Sequence, residues 1–115
     1  MSPTDSGVPN SAPVEPLHDA TERELRRVVE RLMSMPLARA AAAADDVRAC
    51  AEVLVLEGRR LGVPVPASAT VPVLDPQGFG PLIAVLGSDC LAAAGPRDDL
   101  QQVLDELVRL RRSLP

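Results

Sequence analysis

The chain has no Trp, no Tyr and one Phe. Without large aromatics the core must be built from Leu, Val and Ala. Such a core suits close-packed helices better than strands, which favour aromatic and β-branched residues. It also leaves no aromatic platform on which a base or a flat cofactor would stack. Lysine is missing as well; every basic residue is Arg. That excludes a phosphate-loop lysine and a Schiff-base lysine. The same bias, with abundant Ala, Arg, Pro and Val, fits a GC-rich bacterial genome.

Histidine occurs once, as His18, and the two cysteines, Cys50 and Cys90, lie far apart with no Cys-x-x-Cys spacing. A zinc site needs a denser set of ligands, so no metal is expected. A Ser, Thr or Cys nucleophile would need His18 as its base. That residue falls ahead of the first expected helix, in a solvated position. Gly78-Phe79-Gly80-Pro81 reads as a turn before a helix, not as a phosphate cradle. No catalytic residue and no cofactor is therefore expected. Cys50 and Cys90 both sit among apolar neighbours, where Cys behaves as a small hydrophobe.

Basic surface and long apolar runs are absent too. The net charge is −4, opposite in sign to a nucleic-acid surface. No apolar run is long enough to span a bilayer, and the opening MSPTDSGVPN is too polar for a secretory leader. The expectation is a soluble cytoplasmic protein with reduced thiols, without a nucleic-acid or membrane partner.

What the sequence does have is helical periodicity. The chain is organised around residues 36–61, PLARAAAAADDVRACAEVLVLEGRRL, which reads as one long Ala- and Leu-rich helix. Its seam runs Leu37, Ala40, Ala44, Val47, Ala51, Leu54, Gly58 and Leu61, an a/d repeat. Small residues at Ala44, Ala51 and Gly58 leave room for a neighbouring helix. Val53 to Leu56 is apolar all round, so this part should be buried on every side.

A first helix is expected over 21–35, opened by a Thr21–Glu24 capping box and closed before Pro36. Ser34 is then the expected cap of the long helix. A sharp turn at Pro36 would fold these two helices into an antiparallel hairpin. Gly62 is the expected left-handed stop, with Arg59 and Arg60 near the negative helix end. Residues 62–80 are rich in Pro and Gly and should run extended across the helices, covering core with Val63, Val65, Val71, Val73 and Leu74. A third helix over 81–94 buries Leu82, Ile83, Leu86, Cys90 and Ala93, with Phe79 packing just ahead of it. A fourth, over 97–113, starts at Pro96 and carries the stripe Leu100, Val103, Leu107, Leu110 and Leu114.

The sequence thus predicts an all-α fold: a helical hairpin, a Pro-rich crossing segment and a second helix pair, in a four-helix arrangement. Residues 1–18 should form a disordered Pro/Ser-rich tail, and 19–115 a single helical domain. The expected function is that of a non-enzymatic interaction protein, an accessory or regulatory subunit working through helix–helix contacts. Ala44, Ala51, Leu54, Val55 and Gly58 are the candidate interaction surface. The apolar excess of the second and third helices points to a protein partner, with a homodimer as the expected form. The alternative is a small all-α enzyme or ligand-binding protein with an Arg/Asp-lined pocket near Asp89.

Overall fold

The computed structural model describes residues 16–64, 66, 70–95 and 98–115. Among them are five α-helices, one 3-10 turn at Pro76–Gly78 and no strand. The fold class is all-α, as the sequence predicts. The expected tail lies outside the described residues up to position 15, and Val65 and Pro96 lie outside them as well.

Helix α1 spans Leu17–Ser34. It begins a full turn before the expected capping box. Thr21 is fully buried and its hydroxyl donates to the Leu17 carbonyl at 2.8 Å. Glu24 is also buried and pairs with Arg111. Both side chains read as caps are therefore satisfied inside the helix, so the cap assignment is overturned. The end at Ser34 is as expected, because Met35 before Pro36 is extended at ψ 138°. Ser34 does not cap the next helix; its hydroxyl donates back to Arg31.

The single helix expected over 36–61 is two helices. α2 spans Leu37–Ala42 and α3 spans Ala44–Leu61. The break is at Ala43, with φ −93° and ψ 5°. α2 packs against the Pro76–Gly78 turn, while α3 lies in the main bundle; the chain must change direction between them. The break also shifts the seam. Leu37 is exposed, whereas Val47, Ala51 and Leu54 are buried as the repeat predicts. Val53 and Val55 are half-buried and Leu56 is exposed, so the 53–56 stretch is not buried on every side.

α3 ends as expected at Gly62, at φ 100°, a conformation that costs Gly little. The Val63 amide donates to the Gly58 carbonyl at 2.8 Å and the Gly62 amide to Arg59 at 3.1 Å. These two bonds make a Schellman cap. Val63 folds back over Gly58, where a Cβ would meet its Cγ2 at 3.4 Å.

α4 spans Phe79–Ala93 and α5 spans Gln101–Ser113. Phe79 lies within α4, so that helix starts earlier than predicted. α5 starts later, because the two aspartates meant for its first turn build the connection instead. Asp98 accepts from the Gly95 amide at 2.6 Å and Asp99 from the Gln101 amide at 2.8 Å. The predicted α5 stripe holds: Leu100, Val103, Leu107, Leu110 and Leu114 are all buried.

The packing differs from the expected hairpin. α1 packs on α4 and α5, and α3 packs on α4 and α5. α1 and α3 scarcely touch, nor do α4 and α5. Around the bundle the order is α1, α4, α3, α5, so that α1 lies opposite α3 and α4 opposite α5. The contacts fix the directions. α1 runs against α4, since Met33 meets Gly80 and Leu25 meets Gly87. α3 runs against α5, since Asp46 pairs with Arg109 and Arg60 reaches Asp99. α3 and α4 are parallel, so the connection from Gly62 to Phe79 must return the full length of the bundle.

It does so along the outside of α3. Arg59 donates to the Pro66 carbonyl at 3.0 Å, and Val71 is half-buried against the core. The expected covering role holds for Val71 but not for Val73, which is 84% exposed. Leu74 sits against Gly78, where a Cβ would lie 3.3 Å away.

Candidate functional site

The predicted interaction seam is interior. Ala51 and Leu54 are buried in the core, and Gly58 is buried beside Val63 and Cys90. Leu54 and Gly58 meet Cys90 of the chain's own α4, and none of the three is an open surface in the folded chain. Ala44 and Val55 are half-buried. Both line hollows beneath the crossing segment, of about 150 Å³ beside Ala44 and about 330 Å³ beside Val55. The small residues leave room for a helix, as the sequence indicated, but the helix is supplied by the same chain.

Asp89, the other candidate, is exposed on α4. The hollows along α5, beside the crossing segment and at the start of α1 are lined by other residues. Asp89 lines none of these hollows. The largest of these hollows, about 680 Å³ and open, lies along α5 over Leu104, Val108, Arg109 and Arg112. Arg109 is held there by Glu106 and by Asp46 at 3.5 Å. Those carboxylates keep its guanidinium ordered on the rim.

Both thiols are free and buried. Burial in apolar surroundings, with Glu106 adding to it, pushes the Cys50 thiol up to about 12. Burial, then the charges of Glu57 and Asp89, pushes Cys90 up to about 11. The Cys90 Sγ lies 3.4 Å from the Leu54 carbonyl. Neither thiol has the low pKa or the access of a reactive cysteine.

One cluster escaped the sequence reading. His18, Asp19 and Glu22 bring three ligand atoms within 4.8 Å of one another. The expectation placed His18 and Asp19 ahead of the helix; the earlier start of α1 puts all three on its first turns. The His18 Nε2 lies 3.2 Å from the Leu91 carbonyl. An imidazole with two carboxylates is a donor set that suits a divalent cation. All three are exposed, and the positive end of the helix dipole opposes a cation there.

The crossing segment also covers a buried polar atom. Arg59 Nε is buried without a hydrogen-bond partner among the described residues, although its Nη2 reaches Pro66.

Large apolar side chains stand in solvent around the start and middle of α4. Met33 is 68% exposed, Leu37 59% and Val85 59%. Met33 lies over Gly80 in the first turn of α4, and Leu74 lies on Gly78 just ahead of it. Val85 is about one turn further along. Nothing in the sequence signals the approach of Met33 and Leu74 to the start of α4, because they come from segments far from it in the chain or outside any helix.

Among the described residues the protein is all-α, with five helices and several large apolar side chains in solvent. No helix among the described residues is long and apolar enough to cross a membrane. No family model, curated protein or solved structure matches the chain.

Proposed function

We propose that the chain is a non-enzymatic helical interaction protein, an accessory or regulatory subunit that works through helix–helix contacts. The observation that carries this reading is the group Met33, Leu37, Leu74 and Val85. These side chains are exposed, with Met33 and Leu74 against Gly80 and Gly78 at the start of α4 and Val85 farther along the same helix. Contiguous apolar surface on a folded chain marks association sites. Met33 adds an adaptable side chain of the kind found at such surfaces. Two buried, unpaired thiols fit a reducing cytoplasmic setting.

The test is capture of bound protein by the full chain and by two variants. Val85→Arg places a charge in the apolar group. Gln102→Arg places one on exposed α5 as a control. The reading expects a defined partner that is lost with Val85→Arg and kept with Gln102→Arg. A partner set unchanged by Val85→Arg would contradict it.

A further inference from the structure

The main packing contacts of this fold run between two halves of the chain. The first half is α1 to α3 and the second is α4 with α5. Within the first, α1 and α3 lie on a diagonal and scarcely touch; within the second, α4 and α5 do the same. Side chains repeat the pattern. Leu25 packs over Gly87 and Met33 over Gly80. The long-range polar contacts also join the halves: His18 to Leu91, Glu24 to Arg111, Asp46 to Arg109 and Arg60 to Asp99. Neither half encloses a core alone, and the crossing segment is their only covalent link.

We propose that the two halves are exchangeable modules, and that the partner suited to the buried faces of α1 and α3 is the α4–α5 pair of a second copy of this chain. Every contact between the halves can form in trans unchanged, with the crossing segment as the hinge. This is the arrangement in which domain exchange is a low-cost route to a dimer. The inference goes beyond the functional reading above and rests on connectivity alone.

The length of the link sets the balance. α3 has 18 residues, so the link must return along ~27 Å of helix. Residues 63–78 reach roughly 50 Å as polyproline II. The link therefore closes in cis with slack and holds the halves at an effective concentration in the mM range. The closed single chain dominates in dilute solution. Exchange takes over when chain concentration approaches that range or when the link becomes too short. Two bundles lying side by side and pointing in opposite directions would bring each α3 end near the other's α4 start. A shortened link would then suffice.

Charge reversal across the halves tests this in the full chain. Glu24→Arg sets two guanidinium groups against each other at this pair, and Arg111→Glu sets two carboxylates against each other. Each variant alone therefore carries a like-charge pair. An exchanged heterodimer of the two variants holds two bundles, one with both positions reversed and one with neither, so each regains an opposite-charge pair. The mixture, refolded at ~1 mM chain to match the effective concentration, should show a two-chain mass and a melting temperature above either variant alone. A mixture showing only one-chain mass and the two separate melting curves would overturn the proposal. The second measurement removes residues 66–75, so that the link from Gly62 to Phe79 reaches roughly 22 Å as polyproline II and about 25 Å at full stretch, short of the return along α3. This variant should fold only as a two-chain species with the full helical signal. A folded single chain, or a chain unfolded at every concentration, would count against exchange. Neither experiment touches Val85, so the functional reading is tested separately.

Discussion

Leu25 occupies the space that a side chain at position 87 would need. A Cβ on Gly87 would stand 2.5 Å from the Leu25 Cδ1 and 2.8 Å from its Cδ2. The bare backbone of α4 therefore lets α1 approach, and Leu25 seals the contact. Gly87→Val should destabilise the fold by about 1–3 kcal/mol through overpacking. Leu25→Ala should cost ~2–5 kcal/mol alone, but less in the Gly87→Val background. Chemical denaturation of the four chains measures the coupling. Strictly additive effects would mean that the two residues do not meet.

Ala51 is fully buried on the seam of α3. Ala51→Leu would insert a branched side chain where α3 meets its neighbours. The expected cost is roughly 1–3 kcal/mol, read from the midpoint of urea unfolding. An unchanged midpoint would place Ala51 on the surface and refute the register of α3.

The ion pair between Glu24 and Arg111 is unequal. The Glu24 side chain is 7% exposed and that of Arg111 36%. Removing Arg111 leaves a buried carboxylate whose remaining ion-pair partner among the described residues is Arg27, at 4.0 Å. Arg111→Ala should therefore cost more than Glu24→Gln, by about 1 kcal/mol or more. Thermal melts of both variants decide it, and the reverse order would contradict the burial of Glu24.

Alkaline stability should report on the thiols. The chain has no Lys and no Tyr, so little else titrates between about pH 9 and 12. Burial raises Cys50 from 9.0 to about 12, and it raises Cys90 as well. Between those limits the unfolded chain binds fewer protons than the folded one. Stability is thus full below about pH 9 and falls as pH rises, by up to about 1.4 kcal/mol per pH unit for Cys50. Cys90 adds to the slope. The Cys50→Ala/Cys90→Ala chain should show little slope over the same range. An equal slope in that variant would assign the effect to other groups.

The individual helices were largely legible in the sequence, and their pairing was not. The stripe from Leu100 to Leu114 has helical period, and that period requires a buried face. Gly62 carried its stop signal because few other residues accept φ 100°. A stripe shows that a face is covered but not by which helix. Pro36 suggested a hairpin, but α2, packed on the Pro76–Gly78 turn, separates α1 from α3, which lie opposite each other. The bend at Ala43 left no mark, since Ala favours helix on both sides of it. Thr21 misled because a buried hydroxyl bonded to Leu17 looks, in sequence, like a cap. The candidate surface was misplaced for the same reason as the pairing. Ala51, Leu54 and Gly58 do receive a helix, and it belongs to their own chain.

The central structural claim is that neither half of the chain has a core without the other. Native-state hydrogen exchange on the full chain tests it directly. The most protected amides of α1, α3, α4 and α5 should open together, at one free energy equal to that of global unfolding. A core of α4 and α5 that stays protected while α1 and α3 exchange, or the reverse, would contradict it.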